Sequence, residues 1–275
     1  MPANSTSAGP GARGGISRRQ AVLALLLAAL AVGAWLALAW WSAGPYARFV
    51  SHGGWTDAAT FAELCRAVPQ GEIVVPALLH ALAWLLMIAA MMLPTTLPVL
   101  AMFLRAVGER PDRIRLTLGV VVGYCVAWMG FGLAAHATDG ALHAVLAGNP
   151  AVAAHAWAIG AVVLAGAGAF QFSALKYRCL EQCHTPFAFV AARWHGKAPA
   201  REAFRLGLEH GLFCIGCCWA LMLLMFVVGT GSLALMLALA LVMAAEKNLP
   251  WGRRLRLPLG VALFAGAAAV VAANA

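Results

Sequence analysis

Long runs of apolar residues alternate with short polar stretches along the chain. Most of these runs reach the roughly 20 residues that a helix needs to cross the hydrocarbon core of a bilayer. The pattern therefore predicts an all-α fold, a polytopic membrane bundle of about seven transmembrane helices. The predicted spans are residues 20–42, 76–104, 116–136, 152–175, 206–228, 231–246 and 257–273.

The composition supports a membrane protein over a water-soluble one. Apolar residues make up 63% of the chain and charged residues only 11%, whereas soluble domains carry about 25% charged residues. A chain this apolar has too little polar surface to stay in water. Because no segment is long and polar enough for a separate soluble domain, we predict a disordered leader over 1–19 and one bundle over 20–273.

The distribution of positive charge predicts how the bundle is oriented. Of the 19 Lys and Arg residues, all but Arg48 and Arg66 fall in loops on one side of the predicted spans. The positive-inside rule assigns that side to the cytoplasm, with the N-terminus inside and the C-terminus outside. The basic excess thus indicates topology and not nucleic-acid binding. We expect a multi-pass protein of the bacterial inner membrane, surrounded by lipid.

Cysteines are the first indication of chemistry, because most of them fall into two short segments. An odd total, placed mainly near the predicted cytoplasmic side, argues against a disulfide framework. Clustered reduced thiols are typical of metal sites or redox groups. The clustered residues are Cys179, Cys183, Cys214, Cys217 and Cys218.

The second cluster lies on the fifth predicted helix, one turn after a histidine. At about 100° per residue, His210, Cys214 and Cys217 fall on one face of that helix, with Cys218 at its edge. Counting from the predicted cytoplasmic boundary places Cys217 and Cys218 roughly 17 Å deep. This spacing predicts one buried stripe of imidazole and thiol groups.

The first cluster lies after the fourth predicted span. If the fourth helix continues through it, Cys179 and Cys183 are one turn apart and point the same way. His184 follows directly, and Pro186 ends the helix. The sequence therefore predicts a thiol pair at the cytoplasmic mouth of the bundle.

The second predicted span brings thioether groups to a similar depth. Met91 and Met92 lie roughly 20 Å from its cytoplasmic end, and Met87 precedes them by one turn. Pro94 removes a backbone donor and opens the helix, which frees carbonyl groups for a ligand or for Thr95. Broken membrane helices of this kind commonly line a site.

Together these groups predict a site for a soft transition metal. Thiolates and thioethers favour Cu(I), with zinc as the alternative. A bound cation would also neutralise thiolates that are costly to bury in an apolar interior. The candidate ligands are Cys179, Cys183, His184, His210, Cys214, Cys217, Cys218, Met87, Met91 and Met92.

Several other residues have simpler explanations in the sequence. A single mid-span thiol such as Cys125 behaves as a small hydrophobe, and methionines are ordinary packing residues. His80 lies at the outer boundary as a polar edge residue. Lys176 and the Glu246–Lys247 pair lie at helix ends, where snorkelling or mutual pairing explains them.

Four motifs resemble a known bacterial family. The segments Trp84–Pro94, Lys176–Pro186 and Gly211–Met222, followed by Glu246-Lys247, are similar to the predicted metal-binding integral membrane protein family, domain of unknown function 2182. The resemblance covers about residues 75–250. It implies a metal site within a membrane bundle and no particular reaction. His184 stands where the family pattern often has Arg, a difference that would either add a ligand here or replace a role in pairing with phosphate or carboxylate.

The leading hypothesis is a membrane protein that transports, delivers or sequesters a soft metal ion such as Cu(I). A metallochaperone or a periplasmic protein would then be its partner. One alternative is a membrane thiol–disulfide oxidoreductase, cycling Cys214/Cys217 or Cys179/Cys183. The mid-helix placement of the first pair argues against such an enzyme, since a Cys-x-x-Cys thiol is activated at a helix start. The other alternative is a structural or assembly subunit without metal.

Overall fold

A computed structural model of the protein describes residues 18–43, 74–228 and 232–275. Within these ranges the regular structure is helical and contains no strand, so the all-α prediction is confirmed there. The predicted leader falls almost wholly on residues 1–17, outside the described ranges.

The helices follow the predicted apolar runs, with short breaks between some of them. The first six are α1 (Arg18–Ser42), α2 (Val74–Met87), α3 (Leu97–Val107), α4 (Arg113–Ala147), α5 (Pro150–Ala153) and α6 (Trp157–Phe170). The others are α7 (Ala174–His184), α8 (Pro186–Ala191), α9 (Pro199–Val228), α10 (Leu233–Asn248) and α11 (Arg256–Asn274). A π-helix (Ile88–Met92) and a 3₁₀-helix (Leu93–Thr96) join α2 to α3, and a second 3₁₀-helix (Gly252–Leu255) precedes α11.

Length and composition allow several of these helices to cross a membrane. Five continuous helical stretches of the described residues are long and apolar enough, or six when the bent pair α6–α7 counts as one span. The helix α10 has 16 residues and is shorter than these. The seven-span topology therefore stays a prediction.

The fourth predicted helix does not continue straight through the first cysteine cluster. The axis bends by 61° between α6 and α7, and Ser173 caps the new helix by accepting a hydrogen bond from the Lys176 amide at 3.1 Å. A serine at this position satisfies an amide that has no partner inside the helix. The fourth helix is therefore broken before the cluster, although Cys179 and Cys183 still lie one turn apart on α7 and are buried.

Close backbone packing joins α4 to α9 at the centre of the bundle. A Cβ atom on Gly123 would overlap the carbonyl of Phe204, and one on Gly207 would overlap the carbonyl of Val120. Small residues at such contacts let two helix backbones approach closely. This approach brings Tyr124 of α4 against the face of α9 that carries the second cysteine cluster.

Ion pairs join several helices and loops at their ends. Arg19 pairs with Glu109 at 2.5 Å, and this hydrogen bond lowers the pKa of the Glu109 carboxyl below its ordinary value. Arg253 pairs with Glu181, also at 2.5 Å. These contacts join segments that the charge distribution predicts to lie on the same side of the membrane. That this side is the cytoplasmic one stays a prediction.

His80 is buried between helices. It is 4% exposed and its ring stacks on His136, with the ring centroids 3.8 Å apart. Trp84, one turn further along α2, donates a hydrogen bond to the Trp128 carbonyl at 2.9 Å. Aromatic rings therefore hold α2 against α4.

Candidate metal centre

Four thiols from two helices meet in the interior, and we call them the thiol cluster: Cys183, Cys214, Cys217 and Cys218. The three on α9 are each at most 2% exposed. The Cys217 thiol lies close enough to those of Cys183, Cys214 and Cys218 to interact with each of them. Cys217 and Cys218 also donate to the Cys214 carbonyl, at 3.0 and 2.9 Å. The two sequence clusters therefore converge across α7 and α9.

Cys179 lies beside the thiol cluster because α9 has a glycine opposite it. A Cβ atom on Gly216 would stand 2.5 Å from the Cys179 sulfur. The missing side chain lets α7 approach, and Cys179 is 8% exposed at this contact. A fifth thiol thus borders the cluster.

A lysine enters the thiol cluster from α10. The Lys247 ammonium donates to Cys214 Sγ at 2.8 Å and to Met92 Sδ at 3.5 Å. The side chain is 4% exposed, so snorkelling to a surface is the wrong explanation for it. Lys247 instead brings a positive charge between a thiol and a thioether.

Tyr124 connects the thiol cluster to the broken helix. Its hydroxyl shares a hydrogen bond with Cys214 Sγ at 3.0 Å and lies 3.4 Å from the Met92 carbonyl oxygen. Thr95 donates to the same carbonyl at 2.7 Å. The predicted opening at Pro94 is confirmed, since the regular α-helical hydrogen bonds are replaced by π and 3₁₀ turns from Ile88 to Thr96.

The three predicted methionines are buried, but they differ in their relation to the thiols. Among the three, Met92 accepts a hydrogen bond from Lys247, which also donates to Cys214 of the thiol cluster. Met87 and Met91 are 3% and 2% exposed and belong to the same hydrophobic core. They extend the sulfur-bearing surface along α2 and the π-helix.

A buried ion pair involves Glu246, the residue before Lys247. Lys176 donates to both carboxylate oxygens of Glu246 at 2.8 Å, and also to Gln171. His184 Nε2 donates to the Glu246 carbonyl at 2.7 Å. Mutual pairing therefore explains Lys176 and Glu246, while His184 lies at this ion pair instead of inside the thiol cluster.

His210 lies one turn before Cys214, as the spacing predicts. Its ring is 4% exposed and packs near Tyr124 and Phe189, at centroid distances of 5.7 and 5.3 Å. Its Nδ1 has no hydrogen-bond partner among the described residues. An imidazole nitrogen that is buried and without a partner is suited to a metal ligand.

The described residues do not form a ready-made chelate. No group of three or more His, Cys, Asp or Glu side chains in these ranges is placed to hold a metal ion. Instead, two of the thiols donate to a carbonyl and a third accepts from an ammonium group. A metal would have to replace some of these contacts, and the soft donor set favours Cu(I) for that role.

Comparison with protein families identifies the chain. The family model of PpoB2, a copper chaperone, matches residues 81–270. The protein belongs to the PpoB2 copper chaperone family. No curated protein and no solved structure matches it.

The PpoB2 match refines the resemblance drawn from the motifs. It supports a copper-related family, under a different label from domain of unknown function 2182. The matched range includes the thiol cluster, Lys247 and all three predicted methionines. The family description names copper, in agreement with the softness of the donor set.

Two parts of the centre were missed by sequence reasoning. Tyr124 follows no motif that distinguishes it from a packing aromatic, although its neighbour Cys125 attracted attention and is only half-buried. The Glu246-Lys247 dipeptide was a usable signal, because two charges end an otherwise apolar helix. Only their partners on α7 and α9 reveal that both charges are buried.

Proposed function

We propose that this PpoB2 protein is a membrane-integrated Cu(I) carrier that holds the ion between α7, α9 and the π-helix. The observation that supports this proposal is the convergence of four thiols from two helices beside the Met92 thioether. Cu(I) is the substrate, carried and released by the protein. A family described as copper chaperones fits such a role.

The chemistry of the donor groups supports Cu(I) over harder ions. Thiolate and thioether sulfur bind soft ions, and Cu(I) accepts low coordination numbers. The Glu246 carboxylate, at the residue before Lys247, is bound by Lys176 at 2.8 Å. Its oxygen atoms are therefore not free to bind an ion, which disfavours hard ions such as Mg²⁺ and Ca²⁺.

We propose an order of ligands along the carrier. Cys179, Cys183 and His184 receive the ion, and His184 is suited to this because its Nε2 proton is used on a carbonyl, leaving Nδ1 as an acceptor. The ion then passes to the stripe formed by His210, Cys214, Cys217 and Cys218. Met87, Met91 and Met92 offer weaker thioether ligands from which the ion is released.

The proposed setting is the bacterial inner membrane, with a metallochaperone or a periplasmic protein as the partner. The support is the set of five described helices long and apolar enough to span a bilayer. Membrane fractionation with an alkaline wash tests this: an integral protein stays in the pellet. A C-terminal reporter active only outside the cytoplasm tests the predicted orientation. Recovery of the washed protein in the supernatant would end the membrane proposal.

Cu(I) loading of the purified, detergent-solubilised protein tests the carrier function. The wild type and a Cys214→Ser/Cys217→Ser/Cys218→Ser variant are titrated against a colorimetric Cu(I) chelator under reducing conditions. We expect the wild type to retain Cu(I) and the triple variant to lose at least tenfold in affinity. The variant Cys125→Ser is the matched control, because this thiol is half-buried and outside the thiol cluster.

The control and the triple variant separate the alternatives. Equal retention of Cu(I) by wild type and triple variant would contradict the proposed site. A thiol oxidoreductase would instead yield an intramolecular disulfide on oxidation, readable by alkylation and mass spectrometry. A structural subunit would show neither copper retention nor a disulfide.

A further inference from the structure

Lys247 donates to two sulfur atoms that a metal between Cys214 and Met92 would bind. Its ammonium lies 2.8 Å from the Cys214 sulfur and 3.5 Å from the Met92 sulfur. An ion bonded to these sulfurs, with metal–thiolate bonds of about 2.3 Å, would compete with the ammonium for them. The lysine has a flexible four-carbon stem, which lets the ammonium move aside while α10 keeps it close.

The positive charge of Lys247 has no carboxylate partner within the described ranges. The adjacent Glu246 is bound through both oxygens by Lys176 at 2.8 Å. This ion pair is electrically neutral, so it leaves one unit of positive charge facing the thiol cluster. Because the site is buried, that charge acts on any ion bound there with little screening by water.

We infer that Lys247 determines which ions the centre accepts, by favouring monovalent soft cations such as Cu(I) over divalent Zn²⁺. This inference rests on the proposed Cu(I) function. A monovalent ion bound by Cys214, a second thiolate of the thiol cluster and the neutral Met92 thioether leaves a net charge of −1, which the ammonium neutralises. A divalent ion on the same thiolates is already neutral, so the ammonium remains as an uncompensated buried charge.

The test measures the affinities of the detergent-purified full chain for Cu(I) and for Zn²⁺, each against a competing chelator. The wild type is compared with Lys247→Leu, whose side chain carries neither a charge nor a sulfur atom that could bind Cu(I). We expect the ratio of Cu(I) affinity to Zn²⁺ affinity to fall at least tenfold. The control Lys197→Leu removes an exposed lysine and should leave the ratio unchanged.

Two further variants keep the test decisive if Lys247→Leu fails to fold. Lys247→Arg retains the charge and should retain the ratio. Lys247→Gln removes the charge but keeps an N–H donor for the Cys214 sulfur, so the ratio should fall. A general loss of structure would not separate these two variants in this way.

The outcomes separate the inference from the function it rests on. A wild type that binds no Cu(I) would contradict the proposed function itself. Cu(I) binding with an unchanged ratio in Lys247→Leu would overturn only the role of Lys247. A ratio that falls in Lys247→Arg as far as in Lys247→Leu would also overturn it, because charge would not be the cause.

Discussion

Two buried lysines lie at adjacent positions around the candidate centre, and their surroundings differ. Lys176 is 2% exposed and Lys247 is 4% exposed. Lys176 faces the two oxygens of Glu246 and Gln171, whereas Lys247 faces the sulfur atoms of Cys214 and Met92.

The difference separates a structural charge from an exchangeable one. The Glu246 carboxylate neutralises the Lys176 ammonium. Separating the pair would leave each charge buried without a partner. Thiols can bind a soft metal more strongly than they bind an ammonium, so the contacts of Lys247 can be replaced. The oxygen-paired lysine therefore supports the fold, while the sulfur-paired lysine borders the proposed cargo.

The largest effect on stability is expected from breaking the oxygen-paired side. Lys176→Met leaves the Glu246 carboxylate buried without its partner, which should lower the free energy of unfolding by about 3–5 kcal/mol. Chemical denaturation in detergent measures the change. The double variant Lys176→Met/Glu246→Leu should regain most of it, because no buried charge remains. A single variant as stable as the wild type would contradict the proposed difference between the two lysines.

A smaller effect is expected where α9 is held against α4. Gly207→Ala places a methyl group into the Val120 carbonyl, so the helices must separate, at a cost of about 1–3 kcal/mol. Cu(I) affinity should fall with it, since Tyr124 and Cys214 lie across this contact. Gly130→Ala is the control, as no atom lies within 4 Å of its added Cβ. Equal melting temperatures of the two variants would refute this role for Gly207.

Removing the tyrosine hydroxyl tests one hydrogen bond of the sulfur-paired side. Tyr124→Phe loses the 3.0 Å contact with Cys214 Sγ, which should cost about 1 kcal/mol of unfolding free energy. Tyr177→Phe is the matched control, because its hydroxyl accepts from Arg253 at an exposed site, where such contacts contribute little. Indistinguishable unfolding curves for the two variants would show that the Tyr124 hydroxyl is not stabilising.

The smallest effect on stability is expected at the edge of the thiol cluster. Gly216→Ala displaces only the end of the Cys179 side chain, so the unfolding free energy should change by less than about 1 kcal/mol. The rate of Cu(I) transfer from a chelated donor should nevertheless fall severalfold, because Cys179 belongs to the proposed receiving ligands. Gly166→Ala, which has open space around its added Cβ, should keep the wild-type rate. An unchanged rate in Gly216→Ala would remove Cys179 from the route.

Much of the fold was predictable from the alternation of apolar and polar residues. Long apolar runs indicate the helices, and the short polar stretches between them indicate where helices end. The break between α6 and α7 did not follow. The segment Gln171-Phe172-Ser173 contains neither Pro nor Gly, and a lone serine is a weak sign of a helix start. The extension of α4 to Ala147 was missed because its last turns contain His and Asp, which resemble a loop in composition.

The candidate site was predictable to the extent that it depends on helical spacing. His210 and the cysteines of α9 lie on one helix, so their relative directions follow from about 100° per residue. Contacts between helices do not follow from spacing. The approach of Cys183 to Cys217, and of Lys247 to Cys214, depends on the bend before α7 and on how α10 packs, which no local pattern specifies.

The π-helix of Ile88–Met92 amounts to one surplus residue inserted into an otherwise ordinary helix. Upstream, Trp84 is anchored to the Trp128 carbonyl at 2.9 Å; downstream, α3 begins at Leu97. Deleting Ala89 would restore regular winding but rotate one part by about 100° relative to the other. Either the tryptophan anchor or the direction of the Met92 sulfur would then be lost. The length of this stretch, more than its composition, is what keeps a thioether facing the ammonium.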